Sequence, residues 1–157
     1  MSGKNGEIDW LFTDNDYGYN DFYNSIDTTL IGNNTYKQIF TFGEFPYPNK
    51  TNFVFTRDDS NQDTKAVKFI TDDLIEFVKS LKKQNGKDIW LVGGGQINTI
   101  MLNADLIDEM ILSIHPIILA QGIPLFTDNA KQSHFKTKNC KTFETGLIQL
   151  TLMIERQ

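Results

Sequence analysis

The sequence predicts an α/β protein of three layers: a mixed, mainly parallel sheet, helices on both faces, and an antiparallel hairpin at the C-terminal end. Two observations carry this. Short apolar runs alternate with helical segments over the first two thirds of the chain, which is the pattern of a parallel sheet. The last third changes to strands alone, which adds an antiparallel edge. At 157 residues the whole chain, 1–157, reads as one domain, long enough to bury about 68–70% of its unfolded surface.

The elements follow in order. Tyr19, Phe22 and Tyr23 belong to a first helix, in the stretch from Asp16 to Asn24. Thr28–Gly32, Thr51–Thr56 and Ile89–Val92 are short apolar runs ending in glycine or polar residues, the pattern of strands covered on both faces. Val67–Ile70 is a shorter candidate. Asn34–Phe40 is a short helix that Asn34 or Thr35 can cap. Over Asp73–Gln84, Leu74, Phe77, Val78 and Leu81 share one helical face, Asp72 or Asp73 can cap the start, and Gly86 follows the end. Gly95–Leu102 is another helix. Met110–Leu119, Phe135–Phe143 and Leu147–Ile154 read as longer strands, the last two joined by a turn at Glu144-Thr145-Gly146. The stretches Gly43–Asn49 and Arg57–Thr64 read as loops.

Composition narrows the function. A 39% hydrophobic share with twelve phenylalanines supplies a core, and 22% charged residues is near the globular average, so global disorder is excluded. The single cysteine, Cys140, excludes an internal disulfide framework and a multi-cysteine zinc site, and suits a reducing compartment. His115 and His134 have no metal-ligand spacing. A net charge of −5 without a basic run argues against nucleic acid as a partner. No apolar run reaches the ~18–20 residues of a membrane span, and Met1 to Glu7 lacks the apolar stretch of a signal peptide. The chain reads as soluble and cytoplasmic.

Three turns carry candidate chemistry. The strand Ile89–Val92 runs into Gly93-Gly94-Gly95 and then a helix, so the backbone can approach a phosphate and offer helix N–H donors; a tight turn without ligand is the bland alternative. Its spacing matches neither the dinucleotide fingerprint of Rossmann folds nor the P-loop. The strand Thr28–Gly32 ends the same way, before Asn33, Asn34 and Thr35. In one parallel sheet both turns would share the carboxyl edge, where open α/β sheets bind ligands. Thr56 and Arg57, at the end of a third strand, suit a ribose 2′-phosphate.

With TLIGNNTY followed by IWLVGGGQI, the chain resembles the dihydrofolate-reductase-like superfamily, and DEMILSIHPIILAQGIPLF resembles the branch of the reductase domain of bacterial riboflavin biosynthesis. The resemblance implies NADPH as cofactor and a small heterocyclic or carbonyl substrate. A ribosylaminopyrimidine phosphate, as for a 5-amino-6-(5-phosphoribosylamino)uracil reductase, and a dihydrofolate-like compound are the candidates. It places Gly32, Asn33, Asn34 and Thr35 at the pyrophosphate, Thr56 and Arg57 at the 2′-phosphate, and Gly93, Gly94, Gly95, Gln96 and Ile97 along the nicotinamide and phosphate side. It also implies a cis Gly93–Gly94 bond and a homodimer through the C-terminal strands. Asn33 stands where the family usually carries a basic residue. The first, central strand is expected to be missing, because the chain opens at MSGKNGEIDW. Asp16 and Asp21 are the candidate catalytic acids, and Tyr19, Phe22 and Tyr23 would line a substrate pocket against the Phe42–Pro48 loop. A catalytically inactive nucleotide-binding or interaction protein of the same fold is the alternative.

Overall fold

The computed structural model describes residues 2–156. Its elements are β1 (Ser2–Gly3), α1 (Tyr19–Ser25), β2 (Ile26–Gly32), α2 (Asn33–Ile39), β3 (Thr51–Phe55), β4 (Lys68–Ile70), α3 (Leu74–Leu81), β5 (Asp88–Gly93), α4 (Gly95–Asn103), β6 (Glu109–Ile114), β7 (Gly122–Ile123), β8 (His134–Thr142) and β9 (Ile148–Glu155).

Each expected element is present, with instructive differences at the ends. Asp73 caps α3 by accepting from the Ile75 and Glu76 N–H groups. The helix then stops at Leu81, where Lys83 and Gln84 donate to Ser80 and Leu81 in tight i→i−3 turns. The strand expected over Met110–Leu119 stops at Ile114, just before His115 and Pro116; proline has no N–H for a ladder. Asn34 and Thr35 do not cap α2. Gly32 is the N-cap residue, without a side-chain cap bond, and both residues lie inside the first turn.

Strands β4-β3-β2-β5, in that order, form a four-stranded sheet whose pairs are all parallel. Successive side chains face opposite ways, so the sheet feeds two cores. Leu30, Phe53, Phe55, Ile89 and Leu91 meet α3 and α4 around Val78 and Met101. Ile31, Val54, Trp90 and Val92 meet α1 and α2 through Tyr23, Tyr36 and Ile39. Each fully buried side chain of this kind contributes about 1.5–3 kcal/mol. At the other end of the strands, Asn52 ties β3 to its surroundings. Its carboxamide accepts from the Thr29 hydroxyl at 2.7 Å and donates to the Tyr47, Lys50 and Ala66 carbonyls at 2.9–3.0 Å.

The C-terminal third forms a separate antiparallel sheet, β6-β9-β8, closed by a turn at Gly146, whose φ of +86° favours glycine. Strands β1 and β7 make a short ribbon. Among the described residues β5 pairs only with β2, and β6 only with β9. On one face of the C-terminal sheet, Met110, Leu112, Ile114, Phe135, Ile148, Leu150, Leu152 and Ile154 line up, yet none of them is buried.

Candidate functional site

Register brings three turns to one edge. Gly32 pairs with Phe55, Phe55 with Ile70, and Ile31 with Gly93, so β2, β3 and β5 all end level. The turns after β2 and β5 touch backbone to backbone. A Cβ on Gly32 would lie 3.3 Å from the Gly93 carbonyl oxygen and 3.3 Å from the Gly94 nitrogen, and one on Gly94 would lie 3.1 Å from Thr35 Oγ1. Gly93 has φ +118°, a conformation other residues rarely adopt, and the Gly93–Gly94 peptide is cis. Below them Ile97, 8% exposed, packs its Cδ1 toward Gly32; it is floor rather than lining. Gly94 caps α4 without a side-chain bond, so no side chain competes for the first-turn N–H groups; Gln96 lies exposed in that turn.

A strap walls the far side. Asn98 Nδ2 donates to the Leu125 carbonyl at 2.9 Å. Thr99 Oγ1 accepts from the Thr127 N–H at 2.8 Å, Asn103 Nδ2 donates to the Asn129 carbonyl at 3.1 Å, and the Lys131 N–H donates to Asn103 Oδ1 at 2.8 Å. The polar side of α4 thus holds residues 124–131 in place. The strap lies so close that a Cβ on Gly95 would meet the Pro124 carbonyl oxygen at 2.9 Å. Sequence reasoning missed this wall. Its signal was the adjacent Asn98 and Thr99 between the apolar Ile97 and Ile100.

At the third turn Thr56, 9% exposed, accepts at Oγ1 from the Asp58 N–H at 3.1 Å. Asp58 is held below the usual carboxylate range by hydrogen bonds from Ser60, with a smaller contribution from the charge of Lys37. Arg57 is exposed and makes no ion pair among the described residues. Asn33, opening α2, buries an Oδ1 that has no hydrogen-bond partner among the described residues. Asn34 is exposed and Thr35 half-buried.

Residues 43–149 match the RibD C-terminal domain family. The chain belongs to that family. It is 40% identical over 162 residues to YyaP of Bacillus subtilis (strain 168), an uncharacterised protein, covering 96% of this chain and 86% of that one. YwjB of the same organism, likewise uncharacterised, is 35% identical over 147 residues, covering 91% and 84%. In fold the chain is similar to a structure from Shewanella sp. PV-4 assigned to riboflavin biosynthesis (TM-score 0.85, 24% identity, 99% of this chain and 92% of that one). It is also similar to the Thermotoga maritima diaminohydroxyphosphoribosylaminopyrimidine deaminase/5-amino-6-(5-phosphoribosylamino)uracil reductase (TM-score 0.73, 14% identity, 98% and 52%). A third likeness is to Enterococcus faecalis dihydrofolate reductase complexed with NADP(H) (TM-score 0.67, 15% identity, 99% and 90%).

The chain's own residues fit a dinucleotide on two counts: the glycine cradle between two turns and the guanidinium of Arg57, which has no ion-pair partner among the described residues. The α1 residues fit their expected roles less well. Asp16 accepts from the Gly18 and Asn20 N–H groups at 3.1 Å, so both its oxygens serve the entry to α1. Asp21 is exposed in the first turn. Between α1 and the Phe42–Pro48 loop, Phe22 and Tyr23 are half-buried against neighbouring rings. Tyr23 lies 6.4 Å from the Tyr47 ring and Phe22 5.1 Å from Trp90. Tyr47 is so enclosed that burial pushes its phenol up to about 12. Only Tyr19, stacked on Tyr23 at 5.7 Å, stays open, at 46% exposed. A cleft of about 430 Å³ lies elsewhere, among Trp10, Leu112, Ile114, His115 and Ile123. His115 stands edge-on to Trp10 and Phe12, and burial lowers its pKa.

Proposed function

We propose that the chain is an NADPH-dependent reductase of a small heterocyclic or carbonyl compound. One observation carries this reading: the register that brings the Gly32, Thr56 and Gly93–Gly95 turns level at one sheet edge. When bound, NADPH supplies a hydride to the substrate. Gly32, Asn33, Asn34, Thr35 and the first turn of α4 hold its pyrophosphate, and Thr56 with Arg57 holds the 2′-phosphate. Gly93 to Ile97 shape the backbone floor, and Tyr19 offers a face to a flat ring. A ribosylaminopyrimidine phosphate, the class in the name of the Thermotoga maritima enzyme, is the leading substrate; a dihydrofolate-like compound is the next. The exposed free thiol of Cys140 suits the cytoplasm.

The test is titration with NADPH and NADH of the wild type and an Arg57→Ala variant. A lost charge-assisted contact of about 1.5–3 kcal/mol weakens NADPH binding by about 10–150-fold and leaves NADH unchanged. Equal affinities for both cofactors in both proteins overturn the assignment. The second reading, a nucleotide-binding or interaction protein without turnover, is favoured by the engagement of Asp16 in α1. Binding without oxidation of NADPH across a panel of pyrimidine and pterin substrates would establish it.

We also propose a homodimer through the C-terminal sheet. Its unburied apolar face supports this, with Ile114 at 43% and Ile148 at 37% exposed. Light scattering at micromolar concentration decides it, and a stable monomer refutes it.

A further inference from the structure

The turn after β3 carries charge of both signs. Arg57 is followed by Asp58 and Asp59, and Lys37 of α2 lies near enough for its charge to act on Asp58. Neither cation forms an ion pair among the described residues. The turn is built around Asp58. Its N–H donates to Thr56 Oγ1 at 3.1 Å, and its carbonyl accepts from Asn61 Nδ2 at 2.9 Å. Its Oδ1 accepts from the Ser60 N–H at 3.0 Å and from the Ser60 hydroxyl at 2.6 Å. Both Ser60 bonds fall on one oxygen, so the exposed side chain keeps Oδ2 without a partner among the described residues. Asp59 is also exposed but takes part in none of these bonds. Thr56 Oγ1 accepts a second time, from Asn61 Nδ2 at 3.5 Å, which leaves its own hydrogen to donate outward.

We propose that Asp58 is a specificity-determining residue of this turn: its carboxylate opposes a 2′-phosphate and narrows the preference for NADPH over NADH that Arg57 gives. This role rests on the reading that Thr56 and Arg57 hold the 2′-phosphate. The two coenzymes differ only in that group, so a fixed charge beside it acts on one coenzyme and not on the other. A phosphate monoester carries about −1.5 to −2 charges at neutral pH, which the two cations favour and the carboxylate resists. Asp58 stays ionised there, because the Ser60 hydrogen bonds stabilise its charged form. The same bonds hold the carboxylate in the turn, whereas the unanchored Asp59 side chain is free to turn into solvent. Placement, and not the number of charges, makes Asp58 the determinant.

The experiment is calorimetric titration of the intact chain with NADPH and with NADH, in the wild type and in Asp58→Asn, Asp59→Asn and Arg57→Ala variants. Asparagine keeps the Oδ1 acceptor for Ser60, so the turn survives the change. Asp58→Asn tightens NADPH binding by about three- to tenfold, the scale of one near-surface charge pair, and leaves NADH within about twofold. The gain shrinks as salt is raised from about 0.05 M to about 0.5 M. Asp59→Asn moves either affinity by less than about twofold. Unchanged NADPH affinity in Asp58→Asn, equal gains for both coenzymes, or the same gain in Asp59→Asn overturns the proposal. In each of those cases a selective NADPH loss in Arg57→Ala still upholds the 2′-phosphate site. No selective loss in Arg57→Ala overturns that site and the role of Asp58 with it.

Discussion

Replacing Thr99 by valine tests whether the strap is held by hydrogen bonds or merely by apolar packing. The side chain is 2% exposed, and valine matches its shape while losing the hydroxyl. Thr99 Oγ1 accepts from the Thr127 N–H at 2.8 Å and stands 2.9 Å from Thr127 Oγ1. The Thr127 hydroxyl keeps a second partner, Asn129 Oδ1, at 2.6 Å, so the substitution orphans one donor rather than two. A buried N–H left unpaired costs about 1–3 kcal/mol, so the expected loss is about 2 kcal/mol. At about 2–4 °C per kcal/mol for a domain of this size, the melting temperature falls by about 4–8 °C. Circular dichroism melts at matched concentration give the number. Thr99→Ser, which keeps the acceptor and loses only a methyl group, is expected to cost about 1 kcal/mol. A Thr99→Val protein that melts at or above the wild type refutes the argument, and so does a serine variant that is the worse of the two.

Asn52→Leu removes the carboxamide that serves three carbonyls and the Thr29 hydroxyl, so it destabilises by about 3 kcal/mol, read as a lower urea midpoint with an unchanged slope. Asp108 gives a pH signature. Burial works to raise its pKa, but the hydrogen bonds and charges of Lys82 and Arg156 outweigh this and hold it below its ordinary value. Its contribution is therefore complete above the unfolded value of about 4 and is lost as pH falls through the lower folded value. The pairs are largely solvent-exposed, so Asp108→Asn costs about 0.5–1 kcal/mol at neutral pH, and its deficit against the wild type closes in melts taken below about pH 4.

The strands and helices were legible because their signals are local. An apolar run closed by glycine, or a carboxylate immediately ahead of a helical stripe, constrains the chain within a few residues, as Gly32 and Asp73 do. The strand end at Ile114 was missed because the apolar run continues to Leu119 across Pro116, and hydrophobicity was given more weight than the missing N–H. The shared edge was legible where the same logic applied to pairs of turns. Parallel strands of similar length end level, so two glycine turns in one sheet must share an edge. Phe22 and Tyr23 of α1 were ambiguous in the sequence for the opposite reason. A ring that stacks on substrate and a ring that fills a core have the same sequence pattern, and Tyr47 and Trp90 take up Tyr23 and Phe22 as core.

The strap was beyond local reading for a deeper reason. Asn98, Thr99 and Asn103 meet residues 26 to 28 positions further along the chain, and nothing near either segment announces the other. Polar groups buried on a helix must still find partners, because an unpaired one costs about as much as a whole bond contributes. When a helix such as α4 carries buried amides and hydroxyls, a second segment must come to it. Here that segment passes within 2.9 Å of a Cβ position on Gly95. One helix therefore sets both the floor of the candidate site, through its first turn, and the wall, through its polar side. A loss in the strap should then reach the glycine turn directly, because no flexible side chain stands between the Pro124 carbonyl and the Gly95 backbone.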